Sequence, residues 1–277
     1  MTYYQNTTVL ITGAGSGMGR EMARLATQRG ATVIATDVNE ATLAETAQLV
    51  GEQLTTYRLD VGDAAAIQAF AAQVIPTLDG TKPLILINNA GVGLGSGPFA
   101  ETDLDDFEWL LSINLWGVVR MTKAFLPFMM QHNRGQIVNL SSVFGLAGVE
   151  NNSAYCTSKF AVRGFSDSLR MELYDTGIGV TCVHPGGIKT NIAAHSRIGK
   201  SGFVTEAMHQ QGAASFAAAA KTTPQRAAEI ILDGVARRKA RVLIGNDAYQ
   251  IEWVTRLFPT KYVGILRREI QKAFRYE

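Results

Sequence analysis

The sequence predicts an α/β fold: a doubly wound parallel sheet of about seven strands with helices on both faces. Three observations carry this expectation. Short β-branched runs alternate with longer alanine-rich segments along most of the chain, the pattern of strands joined by crossover helices. One run, Leu84-Ile85-Leu86-Ile87, is wholly apolar, as suits a strand covered on both faces. The 277 residues, 47% of them hydrophobic, can enclose a large core in one domain.

In chain order, residues 8–11 read as a strand and 17–29 as a helix, followed by a strand at 32–36 and a helix at 40–50. A third strand is expected at 54–59, a helix at 64–77, and the apolar fourth strand at 84–87. Asp103 has the residue type and place of an N-cap for a long helix over 104–131. Pro127 should kink that helix or break it. Strands at 136–140, 179–183 and 242–244 complete the seven, with helices over 155–174 and 224–238 between them. No repeat, low-complexity linker or composition break divides the chain, so residues 1–277 read as a single domain. Within it, 192–223 is long for a loop and reads as a substrate lid. Its 207–220 stretch is rich in helix formers.

Charge and cysteine content narrow the function classes. A net charge of +2 with 18% charged residues lacks the basic excess of a nucleic-acid binder. Two cysteines, Cys156 and Cys182, form neither a disulfide framework nor a metal-ligand spacing. No metal is therefore expected, and a reducing cytoplasm fits. The first residues lack a signal-peptide pattern, and no apolar stretch is long enough to span a bilayer. From Arg237 onward, ten Lys/Arg stand against four Asp/Glu. The extension at 246–277 is also aromatic, with Tyr249, Trp253, Phe258, Tyr262 and Phe274 among Arg256, Lys261, Arg267, Arg268, Lys272 and Arg275. A short amphipathic helix over 265–274 could pack over the pocket or a subunit interface. It could also lie on an anionic membrane surface.

TGAGSGMG at 12–19 follows the first strand and opens the first helix. Glycines there let the backbone turn tightly and approach a pyrophosphate, which the helix N-terminus attracts. Gly13, Ser16, Gly17, Met18 and Gly19 are the candidate phosphate contacts. Asp37 ends the second strand, where a carboxylate accepts from ribose hydroxyls and repels a 2′-phosphate. Val38 and Ser16 are not basic. NAD is thus favoured over NADP, unless Asp37 serves only as a helix cap. Arg20 is read onto the exposed helix face.

Tyr155 and Lys159 are four apart in a helical stretch and share a face. An ammonium beside a phenol should lower its pKa, and the phenol can then exchange a proton with a substrate oxygen. Ser141-Ser142, Asn88-Asn89-Ala90-Gly91 and His184-Pro185-Gly186-Gly187 each close a strand, at the sheet edge where ligands bind in open α/β folds.

With TGAGSGMG, Asp60-Val61, NNAG, Asn114, the serine before the tyrosine, YCTSK and PGGIKT in place, the chain resembles the short-chain dehydrogenase/reductase family over residues 7–244. The resemblance implies a Rossmann-type fold, a nicotinamide dinucleotide, and a small-molecule alcohol or carbonyl substrate. It implies that Ser142, 13 positions before Tyr155, holds the substrate oxygen, and that Asn114 anchors a water near Lys159. Asp60 and Val61 would face adenine, while Asn88, Ala90 and Gly91 would line the ribose. Lys159 would bond the nicotinamide ribose, Tyr155 would stand beside that ring, and Pro185, Gly186, Ile188 and Thr190 would hold the carboxamide end. Ile188 replaces the family's usual valine. The family also implies a homodimer or homotetramer. Pocket candidates are Val92, Leu94, Phe144, Leu146, Asn152, Gly187, Ile192 and His195. Most are apolar, which points to a lipophilic substrate; His195 also reads as a solvated loop residue. A silent dinucleotide-binding regulator and an epimerase or dehydratase are the rival readings. Retention of Ser142, Tyr155 and Lys159 opposes the first, and the absence of room for a larger substrate domain opposes the second.

Overall fold

The computed structural model describes residues 3–51 and 53–273. Seven strands form one sheet: Thr8–Thr12 (β1), Thr32–Asp37 (β2), Leu54–Arg58 (β3), Leu84–Asn88 (β4), Gly135–Leu140 (β5), Ile178–Pro185 (β6) and Arg241–Ile244 (β7). All pair in parallel, in the spatial order β3-β2-β1-β4-β5-β6-β7. The chain winds outward from β1 to β3, then returns to β4 on the other side of β1. That reversal leaves a crevice outside the carboxyl ends of β1 and β4, where such sheets bind ligands.

Alternate residues of each strand explain the two helical layers. Val9 and Ile11 of β1 and Ile85 and Ile87 of β4 pack on one face. There they meet Met22, Ala23 and Ala26 of Gly17–Gln28 (α1) and Ile231, Leu232 and Val235 near the chain's end. Leu10, Leu84 and Leu86 point the other way. They are covered by Ile67, Phe70 and Val74, by Met121, Phe125 and Met129, and by Leu169. The remaining helices, in order, are Glu40–Val50 (α2), Ala64–Val74 (α3), Leu104–Leu111 (α4), Val118–His132 (α5), Ser153–Glu172 (α6), Glu206–Ala219 (α7), Pro224–Ala236 (α8), Asn246–Leu257 (α9) and Tyr262–Ala273 (α10).

Two expectations need correction here. The helix read as 104–131 is divided at a π-helical turn, Ser112–Gly117, and runs unbroken through Pro127. Pro127 lies on the exposed face, so the carbonyl freed four residues earlier can meet water. A proline inside a helix, with its missing N–H and its ring clash, costs about 3 kcal/mol. Burying Phe125 and Met129 on either side contributes about 1.5–3 kcal/mol each and outweighs it. The extension holds two helices, α9 and α10, rather than the one expected at 265–274; Phe274 and Arg275 lie outside the described residues. Buried Glu252 anchors α9 between Arg241 (2.6 Å) and Arg256 (2.5 Å).

The 192–223 segment is more ordered than a loop. It contributes Arg197–Ile198, which pairs with Leu94–Gly95, and then α7, which buries none of its residues. Fully buried Asp106 of α4 accepts from the Lys200 main chain at 2.7 Å and from Arg197 at 3.4 Å. The Arg197 guanidinium also lies 3.5 Å over the Trp109 ring. Among the described residues no helix is long and apolar enough to cross a membrane.

Candidate active site

The glycine turn is built against the end of β4. Gly13 (φ +66°) and Gly17 (φ +53°) adopt the left-handed backbone conformation. A Cβ on Gly13 would come within 2.7 Å of Ala90 Cα. Thr12 Oγ1 accepts the main-chain N–H groups of Asn89 and Ala90, both at 3.1 Å. Asn89 Nδ2 donates in return to the carbonyls of Thr12 (2.9 Å) and Gly13 (3.0 Å). Asn89 was not among the candidate contacts, yet it braces the turn that carries them. Ser16 makes no side-chain cap and α1 has no acidic residue in its first turn. The free N–H groups of that turn, beside a backbone stripped of Cβ atoms, fit a pyrophosphate.

Asp37 is held by two main-chain donors, Gly15 N–H at 2.8 Å and Asn39 N–H at 2.9 Å. It does not cap α2, since Asn39 does. Arg20 is not on the exposed helix face. It donates to the Gly15 carbonyl and Thr46 Oγ1, both at 3.0 Å, and pairs with Glu45 at 2.7 Å. The guanidinium thereby ties the glycine turn to α2, a contact that depends on how the two helices pack. Asp60 is exposed and accepts Gly62 N–H at 2.8 Å, while Val61 is buried. The Asn88 side chain turns inward to Thr122 (3.1 Å) and Asn139 (2.8 Å), leaving only its main chain for a ribose. Ala90 is half-buried and Gly91 exposed.

At the ends of β5 and β6 the catalytic candidates meet. Ser141 Oγ donates to the Lys159 carbonyl at 2.7 Å and so locks β5 to α6. Ser142 instead lies beside the Tyr155 phenol, close enough to lower its pKa, and accepts Phe144 N–H at 3.1 Å. Lys159, 4% exposed, donates to the Leu140 carbonyl at 3.0 Å. Its Nζ lies 5.5 Å from the centre of the Tyr155 ring. Burial pushes Lys159 down to about 8. It pushes the Tyr155 phenol up to about 12, against the lowering effect of Ser142. The expected depression of Tyr155 by the ammonium is therefore absent: desolvation of a half-buried phenol dominates, and the lysine is engaged with a carbonyl. Asn114, in the π-helical turn, binds Val92 twice, accepting its N–H at 2.8 Å and donating to its carbonyl at 2.9 Å.

Fully buried His184 was not singled out from the sequence beyond its place in the strand-closing run. Its Nδ1 lies 3.0 Å from the Ser142 carbonyl, which can only accept, so Nδ1 carries the proton. Nε2 is buried and has no hydrogen-bond partner among the described residues. Burial holds the ring down at about 4, below its unfolded value near 6.5. The unfolded chain then binds a proton that the folded one refuses. The stability contribution is complete above pH about 6.5 and is lost as pH falls toward 4, about 3 kcal/mol in all. Urea unfolding from pH 7 to 4 should show this loss in the wild type, and His184→Asn should flatten the curve by that amount. Parallel curves would refute the assignment.

The pocket candidates divide. Val92, Phe144, Asn152, Gly187 and Ile192 are half-buried, and His195 is exposed. Phe144 meets the Tyr155 ring edge-on at 5.9 Å. Leu94, however, packs with Leu110 and Ala154 beneath Tyr155, and Leu146 is 4% exposed. Thr190 Cγ2 would lie 3.2 Å from a Cβ on Gly17, so the PGGIKT turn reaches back to the glycine turn. Pro185 and Ile188 are buried, and Gly186 N–H is held by the Ile244 carbonyl at 2.9 Å.

A parallel sheet that offers an uncapped helix N-terminus and a tyrosine hydroxyl to one crevice places the protein among the nucleotide-binding oxidoreductases. Residues 7–201 match the family model described as short chain dehydrogenase, and the chain belongs to that family. It is 37% identical over 281 residues to SadH of Mycobacterium tuberculosis, a protein named as an oxidoreductase, covering 99% of both chains. It is also 37% identical over 263 residues to EphD of Mycobacterium bovis, again named as an oxidoreductase, covering 93% of this chain but 44% of that one. Among solved structures, a short-chain dehydrogenase/reductase from Burkholderia phymatum in complex with NAD aligns with a TM-score of 0.78 at 25% identity, over 100% of this chain and 98% of that one. The closed form of a serine dehydrogenase complexed with NADP+ aligns with 0.75 at 29% identity, over 86% and 94%.

Proposed function

We propose that the protein interconverts an alcohol and a ketone or aldehyde of a lipophilic substrate, with NAD(H) as its dinucleotide. The observation that carries this reading is the meeting of Ser142, Tyr155 and Lys159 at the carboxyl edge of the sheet, with Lys159 Nζ 5.5 Å from the centre of the Tyr155 ring and Ser142 close enough to the phenol to lower its pKa, beside the crevice that the glycine turn opens. The nicotinamide, when bound, supplies or accepts the hydride. The chain's own residues do the rest. Ser142 holds the substrate oxygen at the phenol, and Tyr155, a phenol at neutral pH, gives that oxygen a proton as negative charge develops on it. Lys159 keeps a positive charge beneath the ring at neutral pH. Asn114 holds the Val92 main chain at the pocket wall. Asp37 favours NAD because its carboxylate is fixed beside the glycine turn. Gly13, Ser16, Gly17, Met18 and Gly19 would hold the pyrophosphate, and Pro185, Gly186, Ile188 and Thr190 the carboxamide end.

The apolar character of Val92, Phe144 and Ile192 supports the lipophilic substrate class. Absorbance of the reduced nicotinamide, followed with a panel of aliphatic and aryl alcohols and ketones beside sugars and polyols, tests it. Turnover should be greatest with the apolar compounds. Faster turnover of sugars or polyols would overturn the substrate class, and no dinucleotide binding at all would overturn the oxidoreductase reading.

A further inference from the structure

The turn that follows β6 has few side chains of its own to hold it, because its centre is Gly186-Gly187. It is held from outside. The Gly187 carbonyl accepts from Thr222 N–H at 3.3 Å, at the end of the 192–223 segment. The Gly187 N–H donates to Asp247 Oδ2 at 2.7 Å, in the first turn of α9. A carboxylate in a first turn ordinarily serves its own helix. Asp247 reaches out of α9 instead, and Gly245 stands at the cap position with no side-chain bond. Space is made for it on both sides. A Cβ on Gly186 or on Gly245 would overlap the Asp247 carboxylate, and Gly245 has φ +92°. Two glycines thus make room for one carboxylate, and a third donates to it.

The same turn spans the ground between proton donor and phosphate site. Just before it, in the last residues of β6, His184 is bonded to the Ser142 carbonyl. At its end, Thr190 lies against Gly17. A ring that exchanges hydride at a carbon beside Tyr155, while joined to a pyrophosphate at the glycine turn, must lie along this stretch.

We infer that Asp247 is a positioning residue for the nicotinamide half of the dinucleotide, fixing the Gly186–Gly187 peptide before the ring arrives. The inference rests on the function proposed above. Released from Asp247, two consecutive glycines regain conformational freedom that binding must then remove. The adenosine half, held at Asp37 and the glycine turn, does not sense this. Through Asp247 the extension beyond β7 also becomes part of the dinucleotide site.

The test is titration of the full chain with NADH and, separately, with ADP-ribose, which lacks the nicotinamide. Asp247 is exposed and alanine is a good helix former, so Asp247→Ala should fold, with a melting temperature near that of the wild type. It should bind NADH about tenfold more weakly, as loss of a charge-assisted hydrogen bond predicts. ADP-ribose binding should change by less than about twofold. Asp247→Asn, which keeps an acceptor oxygen, should recover most of the NADH affinity. Equal weakening of both ligands, or of neither, overturns the inference. A wild type that binds neither ligand overturns the dinucleotide reading itself and the inference with it.

Discussion

Tyr155→Phe should lower turnover by about a hundred- to ten-thousand-fold, the range attributable to a positioned acid or base. Affinity for the dinucleotide should stay within a few-fold. Only one atom is lost. The phenyl ring keeps its edge contact with Phe144 and its packing over Leu94, Leu110 and Ala154, so the melting temperature should move little. Because burial keeps the phenol at about 12, it is a proton donor throughout the neutral range. Carbonyl reduction should therefore show no tyrosine limb below that pH. Lys159 is different, since burial holds it at about 8. If its charge supports the proton transfer, kcat/KM for reduction is full below pH about 8 and falls as pH rises through it, a limb that reports the free enzyme. Lys159→Met should remove that limb along with most of the rate. A Tyr155→Phe variant with near-wild-type turnover would falsify the proton-transfer role outright.

What was legible in the sequence follows from how local each cause is. A strand covered on both faces must be apolar at consecutive positions, so β1 and β4 announce themselves in TVLI and LILI. Glycines that admit a backbone or relieve a left-handed conformation are equally local, and the turn at Gly13 and Gly17 lay where its composition indicated. The errors depend on how the elements pack. Pro127 carries a local breaking signal, but its exposed position and the buried residues on either side keep α5 whole. The real irregularity, the π-helical turn, has no proline. It lies where the helix carrying Gly117 passes so close to Val61 that a Cβ would come within 3.0 Å. Arg20 turns inward because Thr42, Glu45 and Thr46 of α2 await it. The Tyr155 phenol illustrates the same point in electrostatics, because spacing reveals the neighbouring ammonium but not the desolvation that outweighs it. Asp247 and Gly187 are 60 residues apart in the chain, and no pattern in either segment announces their bond.

Dinucleotide choice should follow chiefly from Asp37. The family does not decide it, since one structural neighbour holds NAD and another NADP+. In this chain the carboxylate accepts from both Gly15 N–H and Asn39 N–H, so it cannot rotate away without leaving two donors unpaired. A 2′-phosphate bound there would face this carboxylate's negative charge, a like-charge pair that repels strongly at about 4–5 Å. At an effective dielectric near 20 that repulsion is about 3–4 kcal/mol per unit charge, or a hundredfold and more in affinity. The wild type should accordingly prefer NAD over NADP by about a hundredfold in kcat/KM. Asp37→Ser should erase most of that preference by weakening NAD and strengthening NADP. Arg58 makes the reversal easier. It pairs in register with Asp37 across β2 and β3 and is exposed, so a cation already stands at the same edge once the carboxylate is gone. Arg20 cannot take that part while it is tied to Gly15 and Glu45. Adding Val38→Arg at the exposed neighbouring position should complete the switch, and Arg58→Ala in that background should partly undo it. Steady-state rates with both dinucleotides at one fixed alcohol measure each step. A wild type that prefers NADP would show that some other cation overrides Asp37, and Arg58 would be the first to remove.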